Sequence, residues 1–152
     1  MKALVIYSSI HHGNTEKIAK EISNILQGDL VQFSDFRENI LEDYDLIGFG
    51  SGIFHGRHHH TAIKIAQNIN VKGKDTFIFS TSGSGQIKYN KVLADILASK
   101  GANLVGEFSC RGYNIYGLFK WIGGIGKGRP NEKDLLKARE FAHDLLKKVM
   151  SN

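Results

Sequence analysis

The chain has little of what would mark several protein classes. Its 152 residues include one cysteine, Cys110, and one proline, Pro130. A single cysteine excludes an internal disulfide and a cysteine-rich metal site. No apolar run reaches the ~18 residues of a membrane span. The amino-terminal residues show no signal-peptide anatomy, so a cytoplasmic location is the expectation. Two phosphate-binding spacings are also absent. Without G-x-x-x-x-G-K-[ST], no lysine is placed to reach a triphosphate. Without G-x-G-x-x-G, the usual dinucleotide turn is missing.

What is present fits one globular domain spanning residues 1–152, with 41% apolar residues and 23% charge. The net charge of +5 is uneven. Residues 1–85 hold 8 Lys+Arg against 9 Asp+Glu, a balance of −1, and residues 86–152 hold 12 against 6, a balance of +6. Basic asymmetry of this kind can serve nucleic acid or a membrane surface. On the helices, however, the positive charges alternate with acids and read as a solvated face.

The chain is organised around Tyr7–Lys20, preceded by the apolar run Ala3-Leu4-Val5-Ile6. A short buried-type strand runs into hydroxyls, histidines and one glycine. Ile18, Ala19, Ile22, Ile25 and Leu26 then fall on one face of a helix. A strand feeding a helix N-terminus leaves backbone N–H groups free and a partial positive charge at the loop. Ser8, Ser9 and Thr15 add hydroxyls, and the loop reads as a phosphate cradle.

Four more strands follow: Leu30–Phe33, Asp45–Gly50, Thr76–Ser80 and Leu104–Phe108. Between them lie a polar connection from Phe36 to Tyr44, with a short helix around Ile40-Leu41, and a helix at Ala62–Ile69 capped by Thr61. A further helical stripe runs from Tyr89 to Leu97. The last helix follows Pro130, with Asn131 as its cap and Leu135, Ala138, Ala142, Leu145 and Val149 facing inward. Continuous apolar strands alternating with helices predict a parallel sheet covered on both faces, an α/β three-layer sandwich.

The loop after strand one resembles the hydroxyl-rich [ST]-x-[ST]-G-x-T phosphate loop of flavodoxins. Gly13-Asn14-Thr15 matches its end and Ser8-Ser9 its start, while Ile10-His11-His12 makes it about one residue longer and replaces the usual Thr with imidazoles. The resemblance implies a flavodoxin-like five-stranded sheet in the order 2-1-3-4-5. Ligands of such sheets sit outside the carboxyl ends of the strands where the order reverses. The implied cofactor is FMN, bound by Ser8, Ser9, Ile10, His11, His12, Gly13, Asn14 and Thr15 at the phosphate. Gly52, Ile53, Phe54, His55 and Gly56 on one side, and Thr81, Ser82, Gly83 and Ser84 on the other, would flank the ring. Flavodoxins commonly carry a Trp in the first ring loop and a Tyr in the second. Here Phe54 or His55 stands in the first and no aromatic in the second, leaving Tyr113 or Tyr116 to cover the ring. Receiver domains share the strand order but need acids after strand one and an Asp ending strand three. Ser8-Ser9 and Gly50-Ser51 stand there instead.

The implied function is electron transfer, one or two electrons at a time, between redox partners, with no catalytic residue assigned. The run from Ser51 to Ala62, together with the long basic loop, also resembles menaquinone-dependent protoporphyrinogen oxidases and related quinone reductases. A binding module that has kept the fold without flavin is the third alternative. His11, His12, His55 and His58–His60 are arranged for support rather than for a metal, since consecutive imidazoles cannot share one ion. Cys110 has no base placed to activate it and reads as packing.

The segment Arg111–Arg129 is too long for an ordinary connection. It has four cations, no acids, and Tyr113, Tyr116, Phe119 and Trp121 among its glycines. It reads either as an Ω-like loop over the sheet edge or as a docking surface for a redox protein or a small quinone-like acceptor. No nucleic-acid module surrounds it. Together with His55, Arg57 and His58 as cations, it predicts an acidic partner.

Overall fold

A computed structural model describes residues 1–10, 12–113 and 121–151. The elements in chain order are β1 (Ala3–Ser8), α1 (Asn14–Leu26), β2 (Asp29–Gln32), β3 (Leu46–Phe54), β4 (Arg57–His58), α2 (His60–Asn68), β5 (Asp75–Ser82), α3 (Lys91–Ser99), β6 (Asn103–Arg111) and α4 (Glu132–Met150). Short 3-10 turns at Glu38–Asp43 and Ile87–Asn90 complete the connections. The first buries Leu41 and replaces the expected short helix there.

The parallel strands run in the order β2-β1-β3-β5-β6, with β4 pairing antiparallel to β3 beside this path. Counting parallel strands alone, that is the 2-1-3-4-5 order. Strand alternation sorts the apolar side chains to two faces. Ala3, Val5 and Tyr7 point into one core with α1 and α4, and Leu4 and Ile6 into another with α2 and α3. Because both faces are covered, the strands read as unbroken apolar runs.

The glycines of β3 have a steric role. Gly48 and Gly50 pair with Phe77 and Phe79 of β5, and a Cβ on either glycine would lie within 2.1 Å of a phenyl carbon. The rings lie across the strand where side chains would otherwise stand, filling the core below α1 and α4. The opposite face of the same strand carries Ile47 and Phe49.

Several boundaries differ from the sequence reading, β6 among them, which runs three residues past Phe108 to Arg111. β3 runs four residues past Gly50, because Arg57 and His58 return and pair with Phe54 and Ile53. Thr81 and Ser82 likewise extend β5, opposite Cys110 and Arg111. Their Gly/Ser composition suggests loop, but cross-strand pairing overrides such preference. Thr61 is not the cap of α2. His59 is, and its Nδ1 accepts from the Thr61 N–H at 3.3 Å. At α4 the expected cap is found: Asn131 Oδ1 accepts from Asp134 N–H while the Asp134 carboxylate accepts from Asn131 N–H. No helix among the described residues is long and apolar enough to cross a membrane.

Candidate functional site

The carboxyl ends of β1, β3 and β5 open into a cavity of about 310 Å³. It is lined by Ser8, Ile10, Asn14 and Thr15 from the first connection. Gly52, Ile53, Phe54, His55 and Gly56 come from the β3–β4 hairpin, and Thr81, Ser82, Gly83 and Ser84 from the end of β5. Ser9, His12 and Gly13 belong to the same connection but do not line the cavity, and His11 lies outside the described residues. The three segments singled out in the sequence are therefore neighbours in space.

The first connection turns sharply. His12 (φ 57) and Gly13 (φ 66) both lie in the left-handed region, and Gly13 caps α1 with no side-chain hydrogen bond. The first-turn N–H groups of α1 are thus left without a side-chain acceptor. Ser9 Oγ is buried and, among the described residues, has no hydrogen-bond partner. A buried hydroxyl left unpaired costs about 1–3 kcal/mol, so this loop is incomplete without an added acceptor or donor. Thr15 Oγ1 lies 2.8 Å from Thr81 Oγ1, both residues being buried, and this bond ties the first connection to β5. Each hydroxyl keeps bonding capacity beyond it.

The hairpin is built in the opposite manner. His55 (φ 52) and Gly56 (φ 76) are the two central residues between paired Phe54 and Arg57, the type I′ geometry suited to two-residue hairpins. Beneath it His58 is 1% exposed. Asn90 Nδ2 donates to the Phe108 carbonyl, so its Oδ1 faces the imidazole and accepts from Nε2–H at 2.9 Å. The other nitrogen, Nδ1, lies 2.7 Å from Ser51 Oγ, which is also 2.8 Å from the Gly52 carbonyl and accepts from the His59 N–H. Burial pushes the imidazole down to about 4, only partly opposed by its bond to Asn90. His58 is therefore neutral at physiological pH, which corrects its expected role as a cation beside the cavity.

Residues that the sequence reading did not place here complete the wall. Tyr89, assigned to the inward stripe of a helix, stands instead on the turn before α3 and lines the cavity. His59 lines it too, edge-on to Phe54 with ring centroids 5.2 Å apart. Burial, with His60 nearby, holds His59 below its ordinary range. Gly112, Tyr113 and Ile125 close the side after β6. Gly112 packs directly on the Asn14 side chain, where a Cβ would lie 2.8 Å from the amide nitrogen, and Asn14 Nδ2 donates to the Tyr113 carbonyl at 2.8 Å. The Tyr113 ring rests 4.6 Å from that of His12. Tyr116, the other proposed cover, lies outside the described residues.

Among the described residues, the lining has aromatic and apolar walls, hydroxyls and exposed backbone, and no lysine, arginine or carboxylate. Nor do any three described His, Cys, Asp or Glu side chains gather as a metal site. Cys110 is buried and its thiol is pushed up to about 12, chiefly by burial and then by Asp134. It is protonated and unreactive at neutral pH. Arg129, expected among the docking cations, is instead paired through two nitrogens with the buried Asp134 carboxylate. Burial alone would raise Asp134, but hydrogen bonds from Arg129 and Asn131 outweigh it and hold the carboxyl low.

Comparison with known proteins agrees with this geometry. A family model described as a flavodoxin domain matches residues 4–117. An uncharacterized protein of Methanocaldococcus jannaschii is 50% identical over 149 residues, covering 97% of this chain and 99% of its own. A flavodoxin from the domain Archaea superposes with a TM-score of 0.77 at 22% identity, over 99% of both chains. A mutant flavodoxin of Fusobacterium nucleatum bound to flavin mononucleotide gives 0.68 at 14% identity, over 96% of this chain and 95% of that one. The chain belongs to the flavodoxin family.

Proposed function

We propose that this chain binds FMN in the cavity and serves as an electron carrier between redox partners. The observation that carries the reading is the juxtaposition, in one site, of an uncapped helix N-terminus and an aromatic-walled cavity. A phosphate suits the first and a flat, largely apolar ring the second. The orphaned Ser9 hydroxyl is one test of fit, and a phosphate oxygen would satisfy it. The neighbour bound to flavin mononucleotide supports the same cofactor.

When bound, the flavin supplies the redox chemistry, and the protein holds and insulates it. In this reading the backbone N–H groups at 13–15 and the hydroxyls of Ser9 and Thr15 hold the phosphate, with Ser8 and Asn14 beside them. Phe54, Tyr89 and Tyr113 wall the ring, and the Gly52–Gly56 and Thr81–Ser84 segments offer backbone groups to its polar edge. No lysine or arginine among the described residues lines the cavity, so hydrogen bonds from neutral donors carry the phosphate affinity. The lone, unreactive Cys110 suits the reducing cytoplasm, which remains the proposed location.

Fluorescence titration of the purified protein with FMN and with riboflavin tests the reading. FMN is expected to bind more tightly. Each hydrogen bond to a charged group contributes about 1.5–3 kcal/mol, so Thr15→Val should weaken FMN by about 10-fold or more and riboflavin much less. Phe54→Ala should weaken both alike. Equal losses for the two ligands in Thr15→Val would remove the phosphate from this loop.

A further inference from the structure

Charge is segregated along the strand direction. At the amino ends of the strands, Asp29, Asp45 and Asp75 are mixed with Lys2 and Lys74. At the carboxyl ends, around the cavity, positive charge predominates. Residues 46–74, 76–94 and 108–131, which supply most of the cavity, contain no Asp or Glu. Four exposed cations stand close in sequence to lining residues, in four different segments. Arg57 follows the lining residue Gly56, Lys88 precedes Tyr89, Arg111 precedes Gly112, and Lys127 comes shortly after Ile125.

Among the described residues none of these four has a carboxylate partner. Arg111 donates through Nε to the Gly83 carbonyl, and Lys88 Nζ stands 5.7 Å from the Tyr89 ring centroid. Four carboxylates approach this end of the sheet. Glu16 is paired with Lys20 at 2.6 Å, Glu132 with Arg139 at 2.7 Å and Asp134 with Arg129, while Asp35 sits on the loop after edge strand β2, two residues from Arg37. The segment that carries Lys127 and the lining residue Ile125 also presents Trp121, 87% exposed, and Ile122, 74% exposed. Exposed Trp together with Arg is the composition of protein-interface anchors.

We propose that the cavity end of this molecule docks the acidic surface of a redox protein. Arg57, Lys88, Arg111 and Lys127 steer that surface over the opening, and Trp121 and Ile122 form the apolar contact. The proposal rests on the electron-carrier reading for its purpose, but its geometry does not depend on a bound flavin. Cations contributed by separate loops around an opening fit a compact partner facing it. Anchoring to a bilayer would place them along one amphipathic element instead.

The test measures association with an acidic [2Fe–2S] ferredoxin as probe. Basic cytochrome c and phosphatidylserine vesicles are the contrasting arms. FMN titration of each variant comes first, so that a failure to bind flavin strikes the carrier reading alone. Association with the ferredoxin should slow steeply between about 0.02 and 0.2 M salt, as screening shortens the range of the charges. Combined Arg57→Glu, Lys88→Glu and Lys127→Glu should lower the low-salt association rate by about 10-fold or more and flatten its salt dependence. FMN affinity should stay unchanged. Trp121→Ala should speed dissociation with little change in association rate, since anchors act through residence time. Equal rates in the charge-reversed protein, or equal binding of cytochrome c, would overturn the proposal. Tight binding to the vesicles without the ferredoxin would replace the protein partner with a membrane.

Discussion

The two connections that flank the cavity manage their polar groups in opposite ways. Residues 8–15 leave some of theirs open: Asn14 and Thr15 are bonded, but among the described residues Ser9 Oγ is buried without a partner and the α1 N-terminus has no side-chain cap. Residues 51–58 bond theirs internally, through Ser51, His58, Asn90 and the Phe108 carbonyl. Unsatisfied groups in a folded protein reduce its stability unless something completes them. The first connection thus suits the proposed role of ligand cradle and the second that of wall. The difference teaches that a serine or histidine near a cavity has no function until its partners are counted.

Breaking the wall should have the largest effect. His58→Ala strands Ser51 and Asn90 in the core and should destabilise the fold by about 3 kcal/mol or more, read by urea unfolding of the flavin-free protein. A loss below about 1 kcal/mol would mean that the network is ornamental. Acid should loosen the same wall. With its folded pKa near 4, below the ordinary 6.5, His58 takes up its proton more readily in the unfolded chain. Its contribution is therefore fully present above pH 6.5 and lost as pH falls toward 4, amounting to roughly 3 kcal/mol over that window. His58→Gln should flatten the stability profile there. An unchanged slope would assign the acid sensitivity to other groups.

The ligand side should respond in the reverse sense. Ser9→Ala should leave the stability of the flavin-free protein unchanged or slightly higher, because it removes an unsatisfied atom, while weakening FMN by about 10-fold. Lost stability with unchanged FMN affinity would reverse the comparison and make this loop structural.

Where periodicity decided burial, the sequence was legible. Ala3–Ile6, the apolar face of α1 and the Asn131 cap of α4 appear in the structure as read. So does the meeting of three separate segments at one end of the sheet. Legibility ended where a distant partner decided the outcome. Ser51–Phe54 became strand because Arg57 and His58 return against it. Tyr89 reached the cavity because a 3-10 turn precedes α3 and takes it out of the helical stripe. Arg129 looked like a surface cation, yet Asp134, placed by its own capping role, neutralises it. His58 looked like one of three equivalent histidines, and only its buried neighbours set it apart.

Trp121 is the sole tryptophan of the chain and stands almost wholly in water. Its indole already has in the native protein much of the solvent environment that unfolding would give it. Intrinsic emission should therefore pass through a denaturant titration with little spectral shift, although the core has melted. Far-ultraviolet dichroism would follow the helices instead. The same indole becomes an unlabelled optical probe of the surface around it: shielding from a soluble quencher such as acrylamide would report contact at that surface without a chemical tag.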